Sequence, residues 1–292
     1  MIRQLRRRIA VRFPRAKAML DAWRRLPEER KFRVYATRPV RGSPVPTPYG
    51  FRLHIGASPA HREMERGSFE VEEMEVFRTQ LATADVVVDV GANIGLYTCA
   101  ARLLGKRVVA VEPQPANLRV LYANLTANSF TDVEVMPLGV SDRPGLVTLW
   151  GASGTGASLL RGWAAQADKF ATVIPVTTLD IITSNRFAGQ RLFIKIDIEG
   201  AEYLALQGAP DLLKMSPSPT WMTEICLNEY HPSGLNPYYA KTFELFWGHG
   251  YEARTADRKG RRVSREEVHR WVSQGKCDSG SINYLWTHCG TN

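Results

Sequence analysis

Residues 85–95 read D-V-V-V-D-V-G-A-N-I-G. Val86, Val87, Val88 and Val90 form a short β-branched run, the pattern of a strand buried on both faces of a parallel sheet. Gly91 and Gly95 bracket a turn, and residues 96–104 continue as an apolar helix. A strand, a glycine turn and a helix bring a ligand close to backbone and to a helix N-terminus. The spacing is G-x-x-x-G, which differs from the G-x-G-x-x-G of dinucleotide binders. Asp89 stands two residues before the first glycine. A carboxylate there suits a positively charged ligand better than a pyrophosphate. S-adenosylmethionine, with its ammonium and sulfonium, has that charge. The plainer alternative is a βα turn in which glycine serves geometry and aspartate caps the helix.

Working outward, strands are predicted at 108–111, 133–138, 192–198 and 221–226, with a helix at 116–127. Strands alternating with helices imply βαβ units and a largely parallel sheet, an α/β fold. Before the valine run, 67–81 reads as an acidic helix with Phe69, Met74, Phe77 and Leu81 inward. Residues 145–182 break the alternation. Strand-like 146–150 and 172–176, joined by a Gly/Ser-rich loop, read as a β insertion between the third and fourth sheet strands. After 251 an antiparallel pair is predicted, 251–254 with 282–286, separated by a polar stretch at 257–276. The proline-rich stretch 38–48 cannot be a regular element.

The chain has 292 residues, 44% of them hydrophobic, enough for a sizeable core. No apolar run reaches the roughly 20 residues of a membrane span. The net charge of +9 is concentrated in the N-terminal arm. Residues 1–38 hold 13 Lys and Arg against Asp21, Glu28 and Glu29, so the remainder is near neutral. This argues against a nucleic-acid groove over the body. It divides the chain into a basic helical extension with linker, 1–40, and a domain, 41–292. The arm could pack on a partner, touch a membrane surface or act as an arginine-rich presequence. Cys99, Cys226, Cys277 and Cys289 have no metal-site spacing, and Cys99 and Cys226 read as core thiols. A reduced, cytoplasmic protein follows, with peripheral membrane contact as an option for the arm.

Three further positions carry chemistry. Glu112 ends the second strand, about 21 residues after Gly91, where doubly wound sheets place a carboxylate over ribose hydroxyls. In 192–202, L-F-I-K-I-D-I-E-G-A-E, Lys195, Asp197 and Glu199 alternate. Period two would put all three on one face at a strand's carboxyl end. A Lys–Asp pair tying neighbouring strands is the alternative. Glu224 should lie beside that acidic end, and His231 follows it; a loop histidine is as easily solvated as catalytic.

These residues together resemble the FkbM family of S-adenosylmethionine-dependent methyltransferases, of class I (Rossmann-like) fold. The resemblance rests on 89–95 (D-V-G-A-N-I-G), 111–113 (V-E-P), 138–142 (L-G-V-S-D), 178–180 (T-L-D) and, most specifically, 195–202 (K-I-D-I-E-G-A-E). It spans roughly 48–229. It implies that Asp89, Gly91, Asn93 and Gly95 shape the methionine end of the cofactor site. It implies that Glu112 holds ribose, that Ser141 and Asp142 lie near adenine, and that Lys195, Asp197 and Glu199 face the transferring methyl. The family's usual products are O-methylated sugars, polyketides and other small metabolites or glycans. A hydroxyl acceptor is a weak nucleophile that a base would assist; Asp197, Glu199, Glu224 or His231 could serve. Clustered carboxylates could instead hold magnesium. A protein or RNA methyltransferase and a non-catalytic cofactor-binding scaffold are the competing readings. The oligomeric state is not encoded in any of these motifs.

Overall fold

The computed structural model describes Val40 and residues 42–55, 59–151, 155–165 and 170–290. The basic arm predicted at 1–40 therefore lies almost wholly outside the described residues. In chain order, β1 (Val45–Pro46) pairs with β2 (Arg52–Leu53), and helices α1 (Pro59–Arg66) and α2 (Val71–Gln80) follow. The valine run forms β3 (Val86–Val90), followed by α3 (Leu96–Leu103), β4 (Arg107–Val111), α4 (Pro115–Ala127) and β5 (Glu134–Met136). The insertion consists of β6 (Gly139–Val140), β7 (Gly145–Trp150) and β8 (Ala171–Thr177), and α5 (Leu179–Thr183) leads out of it. Then come β9 (Leu192–Ile196), α6 (Glu202–Gln207), β10 (Thr220–Glu224), α7 (Tyr239–Gly248) and β11 (Tyr251–Thr255). β12 (Arg262–Val263), α8 (Arg265–Gln274) and β13 (Asn283–His288) close the described chain.

The main sheet has the order β12-β11-β13-β10-β9-β3-β4-β5. β5, β4, β3, β9 and β10 run parallel, and β13, β11 and β12 add antiparallel pairings. The order reverses at β3, as doubly wound sheets do at their ligand-binding edge. This is the class I methyltransferase arrangement. All five residues of β3 are buried, because both sheet faces are covered. Val86, Val88 and Val90 pack with Ile194, Ile196 and Trp221 and with Leu179, Ala205 and Phe243 of the helices on that side. Val87 points the other way, to Phe193, Phe77, Cys99 and Leu121. Each such side chain contributes about 1.5–3 kcal/mol by leaving water.

Register then sets the site. Val90 is opposite both Val111 and Ile196, so β3, β4 and β9 end flush. Asp89 is opposite Lys195, and both follow Val87 and Phe193 onto the α2/α3 face by period two.

Several expectations change. The helix predicted over 67–81 begins only at Val71, because Gly67 and Glu70 have left-handed backbones, φ +71° and +45°. The fourth strand stops at Ile196, not 198, so alternation does not place Asp197 and Glu199. The proline-rich connector does hold one short pairing, β1 with β2. The polar stretch 257–276 contains β12 and the helix α8. Ser264 and Glu267 form a capping box at the start of α8. The β insertion is found as a three-stranded sheet, β6-β8-β7, and the terminal antiparallel pair as β11 with β13. Cys99 and Cys226 are buried thiols.

Candidate functional site

The turn after β3 folds back on β4: the Gly91 and Ala92 N–H groups both donate to Val111 O, at 2.9 and 3.0 Å. Gly91 has φ +86°, and a Cβ there would lie 1.8 Å from the backbone oxygen of Asp197. The glycine is therefore demanded by a neighbouring strand end, not only by space for a ligand. Gly95 precedes α3 at φ +92°, with Leu121 close behind it. Asp89 is 1% exposed and accepts a hydrogen bond from Thr98 Oγ1 at 2.5 Å; burial pushes its carboxyl upward. Glu112 accepts from the Asn93 N–H at 2.8 Å and from the Gln114 N–H at 2.7 Å, with Asn117 Nδ2 at 3.4 Å. Burial outweighs these donors and raises it to about 7.

Asp89, Gly91, Ala92, Asn93, Glu112 and Asn117 line a cavity of about 540 Å³ at the carboxyl edge of β3, β4, β9 and β10. Its other end is acidic. Lys195, 3% exposed, donates to Asp197 at 2.8 Å and lies 4.4 Å from the ring centre of Tyr97. Burial opposes its charge, but Asp197, Glu70 and Asp89 together raise it above the usual lysine value. Carboxylate oxygens of Glu70, Asp197 and Glu224 lie within 4.8 Å of one another. Glu224 is raised well above the ordinary glutamate value, first by burial and then by Asp197 and Glu199.

Glu199 leaves the cluster for the insertion. Its Oε1 accepts from the Gly156 N–H and its Oε2 from Trp163 Nε1, both at 2.7 Å. Trp163 packs under Gly200, where a Cβ would meet the ring at 2.4 Å. The glycine of the acidic motif thus makes room for a tryptophan, and Thr155, Gly156, Ala157, Leu159 and Ala164 become one cavity wall.

Residues 89–253 match the family model described as the methyltransferase FkbM domain. The chain belongs to the FkbM methyltransferase family. It is an S-adenosylmethionine-dependent methyltransferase. No curated protein matches the chain significantly. Solved structures similar to it include precorrin-6y C5,15-methyltransferase from Geobacter metallireducens, at 15% identity, TM-score 0.37, covering 62% of this chain and 71% of that one. A TehB-like SAM-dependent methyltransferase from Corynebacterium glutamicum has 9% identity and TM-score 0.39, with 73% and 84% covered. A SAM-dependent methyltransferase from Agrobacterium tumefaciens has 11% identity and TM-score 0.38, with 81% and 65% covered.

For an FkbM enzyme the cavity fits its cofactor. Asn93 lines it, and its Oδ1 is buried without a hydrogen-bond partner among the described residues. An unsatisfied buried acceptor costs about 1–3 kcal/mol, which a donor on a ligand would offset. Asp89, Gly91, Asn93 and Glu112 all face the cavity, as do Lys195, Asp197, Glu199 and Glu224.

The remaining predicted residues stand apart. On the third-strand side the lining is Leu138, Gly139 and Val140. Ser141 donates instead to Asp142, and its N–H is bound to Thr177 O. Gly95 shapes the turn from behind. His231 is outside the lining; its Nδ1 accepts from the Ser233 N–H, and its ring packs edge-on to Trp163. Sequence reading missed Glu70, Glu73 and Tyr97 as lining residues. The acidic run was visible, but read as a continuous helix it turned these glutamates into a solvated face.

Proposed function

We propose that the protein transfers a methyl group from S-adenosylmethionine to a hydroxyl of a sugar, glycan or other small metabolite. The observation that carries this is the charge of the cavity's far end. Lys195 is the one lysine, arginine or histidine among the described lining residues, and it is already paired with Asp197. Around it stand Glu70, Glu73, Glu199 and Glu224. Such a surface accepts protons and hydrogen bonds from hydroxyls and repels phosphates, which disfavours an RNA acceptor. The volume is in the range of small-molecule sites, about 300–1,000 Å³.

Bound in the cavity, S-adenosylmethionine supplies an electrophilic methyl on a sulfonium. Asp89, Asn93 and Glu112 would hold it through its polar groups, with Gly91 allowing close backbone approach. Asp197 is fixed by Lys195 and presents its remaining oxygen to an acceptor. Holding the acceptor in line provides much of the acceleration, since positioning can lower a barrier by about 7–11 kcal/mol. The Lys195 ammonium already sits against Asp197 at 2.8 Å and supplies positive charge at this acidic end, so we propose a metal-independent transfer.

The test is mass spectrometry of a metabolite and glycan pool incubated with enzyme and trideuteromethyl-labelled cofactor. Label in base-stable ether linkage to carbon-bound oxygen supports the reading. Label confined to nitrogen, carboxylate or RNA overturns it, and cofactor binding with no transfer to any pool favours a scaffold. Transfer abolished by a chelator and restored by magnesium overturns the metal-independent part.

A further inference from the structure

We propose that Glu70, contributed by the segment before the matched family domain, is the catalytic base that takes the acceptor's proton. The inference rests on the hydroxyl-transfer reading above. It starts from the backbone. Glu70 has φ +45° and ψ +51°, a left-handed conformation that glycine adopts freely and glutamate does not. Such strain persists only where the surroundings fix it. Here the preceding carbonyl, Phe69 O, is held by Tyr49 Oη at 2.9 Å, and Glu70 O accepts from the Met74 N–H at 2.8 Å to open α2. The result is a side chain turned into the cavity, not along the helix surface.

The other carboxylates differ from Glu70 in the partners they hold. Asp197 carries Lys195. Glu199 has both oxygens occupied by Gly156 and Trp163. Glu112 accepts from two backbone N–H groups and Asp89 from Thr98, and both belong to the cofactor end of the cavity in the reading above. Burial pushes Glu224 well above the ordinary glutamate range. Glu70 accepts one bond, from Tyr97 Oη to Oε2 at 2.6 Å. No hydrogen bond reaches its Oε1 among the described residues. The groups facing it are Lys195, Asp197, Tyr97, Tyr49, Glu73 and Glu224. Burial, opposed by Lys195, brings Glu70 to about 7, where a base both holds the deprotonated form and accepts a proton readily.

In the step, the acceptor oxygen bonds the methyl carbon as the carbon–sulfur bond breaks and its electron pair stays on sulfur. The acceptor's proton passes to Glu70 Oε1 and then to solvent.

Two measurements test this. The first needs no acceptor: carboxyl ¹³C shifts of glutamate-labelled protein loaded with S-adenosylhomocysteine, followed from pH 5 to 9. Among the resonances titrating near 7, where Glu112 also falls, one should vanish in Glu70→Gln and move to higher pH in Tyr97→Phe. A Glu70 that titrates with exposed glutamates, or stays protonated through pH 9, overturns the proposal. The second is the pH profile of label transfer to the pool above. Glu70→Gln should lower the plateau rate by about 10²-fold or more and remove the limb near pH 7, with cofactor affinity unchanged. Hydroxyl methylation whose rate and profile survive in Glu70→Gln overturns the assignment. A titrating Glu70 with label found only on nitrogen overturns the acceptor class and this proposal's proton source together. The titration alone failing leaves the hydroxyl reading standing.

Discussion

Replacing Gly91 by alanine tests how the two halves of the site are joined. A Cβ at Gly91 would lie 1.8 Å from Asp197 O, where real contacts essentially never fall below 3.0 Å, so the strand ends must part by about 1.2 Å. The link most exposed to that movement is the bond from the Asp197 N–H to Val90 O, at 3.0 Å. Its loss costs about 1 kcal/mol, and φ +86° costs alanine about 1–2 kcal/mol more. The sum, about 2–3 kcal/mol, lowers the melting temperature by about 4–12 °C for a domain of this size. Gly105→Ala is the control: it too has positive φ, +75°, but nothing within 4 Å. Melting curves of both variants, with and without S-adenosylhomocysteine, separate strain from contact. Gly91→Ala should melt lower than Gly105→Ala and lose most of the ligand's stabilising shift. Equal melting temperatures together with an unchanged ligand shift would refute the reasoning.

Other outcomes follow from the same geometry. Glu202 is raised to about 8 by burial despite the N–H groups of Gly200 and Ile198. The folded state therefore binds its proton more tightly than the unfolded chain, and this contribution is full below about pH 4.5 and lost as pH rises through 8; Glu202→Gln should flatten the decline in apo-protein melting temperature between pH 5 and 8. Lys195→Met leaves Asp197, Glu70 and Asp89 without their cation and should destabilise by about 3–5 kcal/mol in denaturant titration, with Asp197→Asn partly rescuing. Glu199→Gln loses one of two anchoring bonds, so label transfer should fall by less than about tenfold, while proteolysis within 155–165 increases; a hundredfold fall would return Glu199 to the chemistry. Protein lacking residues 1–38 should bind S-adenosylhomocysteine as the full chain does, because the described cavity lining begins at Ala60; a tenfold weaker calorimetric affinity would contradict this.

The parts of the site legible in the sequence are those built from adjacent residues. The run 86–95 fixes a strand, a turn and a helix by local rules, and Glu112 ends the neighbouring strand in the same way. Lys195 was placed by alternation within β9, but Asp197 and Glu199 lie past the strand's end, where backbone contacts decide direction. Trp163 under Gly200 is a contact across 37 positions in a loop with no periodicity. Glu70 escaped because its position depends on a left-handed residue that no sequence signal marks; a glutamate there reads as ordinary helix. Helix α7 ends before a left-handed Gly250, and α8 begins at the capping pair Ser264 and Glu267, so both signals were available to be read.

The position of β13 bears on how the protein is made. β11 touches the parallel sheet only through β13, which arrives some thirty residues later and slides between β11 and β10. β3, β4 and β5, by contrast, are near neighbours in sequence and in space. As the polypeptide leaves the ribosome, the cofactor-binding half can assemble first. The other half must wait with an open slot, its β10 edge unpaired, until residues 283–288 emerge. Asn283 itself lines the cavity, so the nascent enzyme gains its complete active-site wall only when that last insertion is made. A stalled or truncated translation product would carry a bare sheet edge, the kind of surface that chaperones retain and that aggregates recruit.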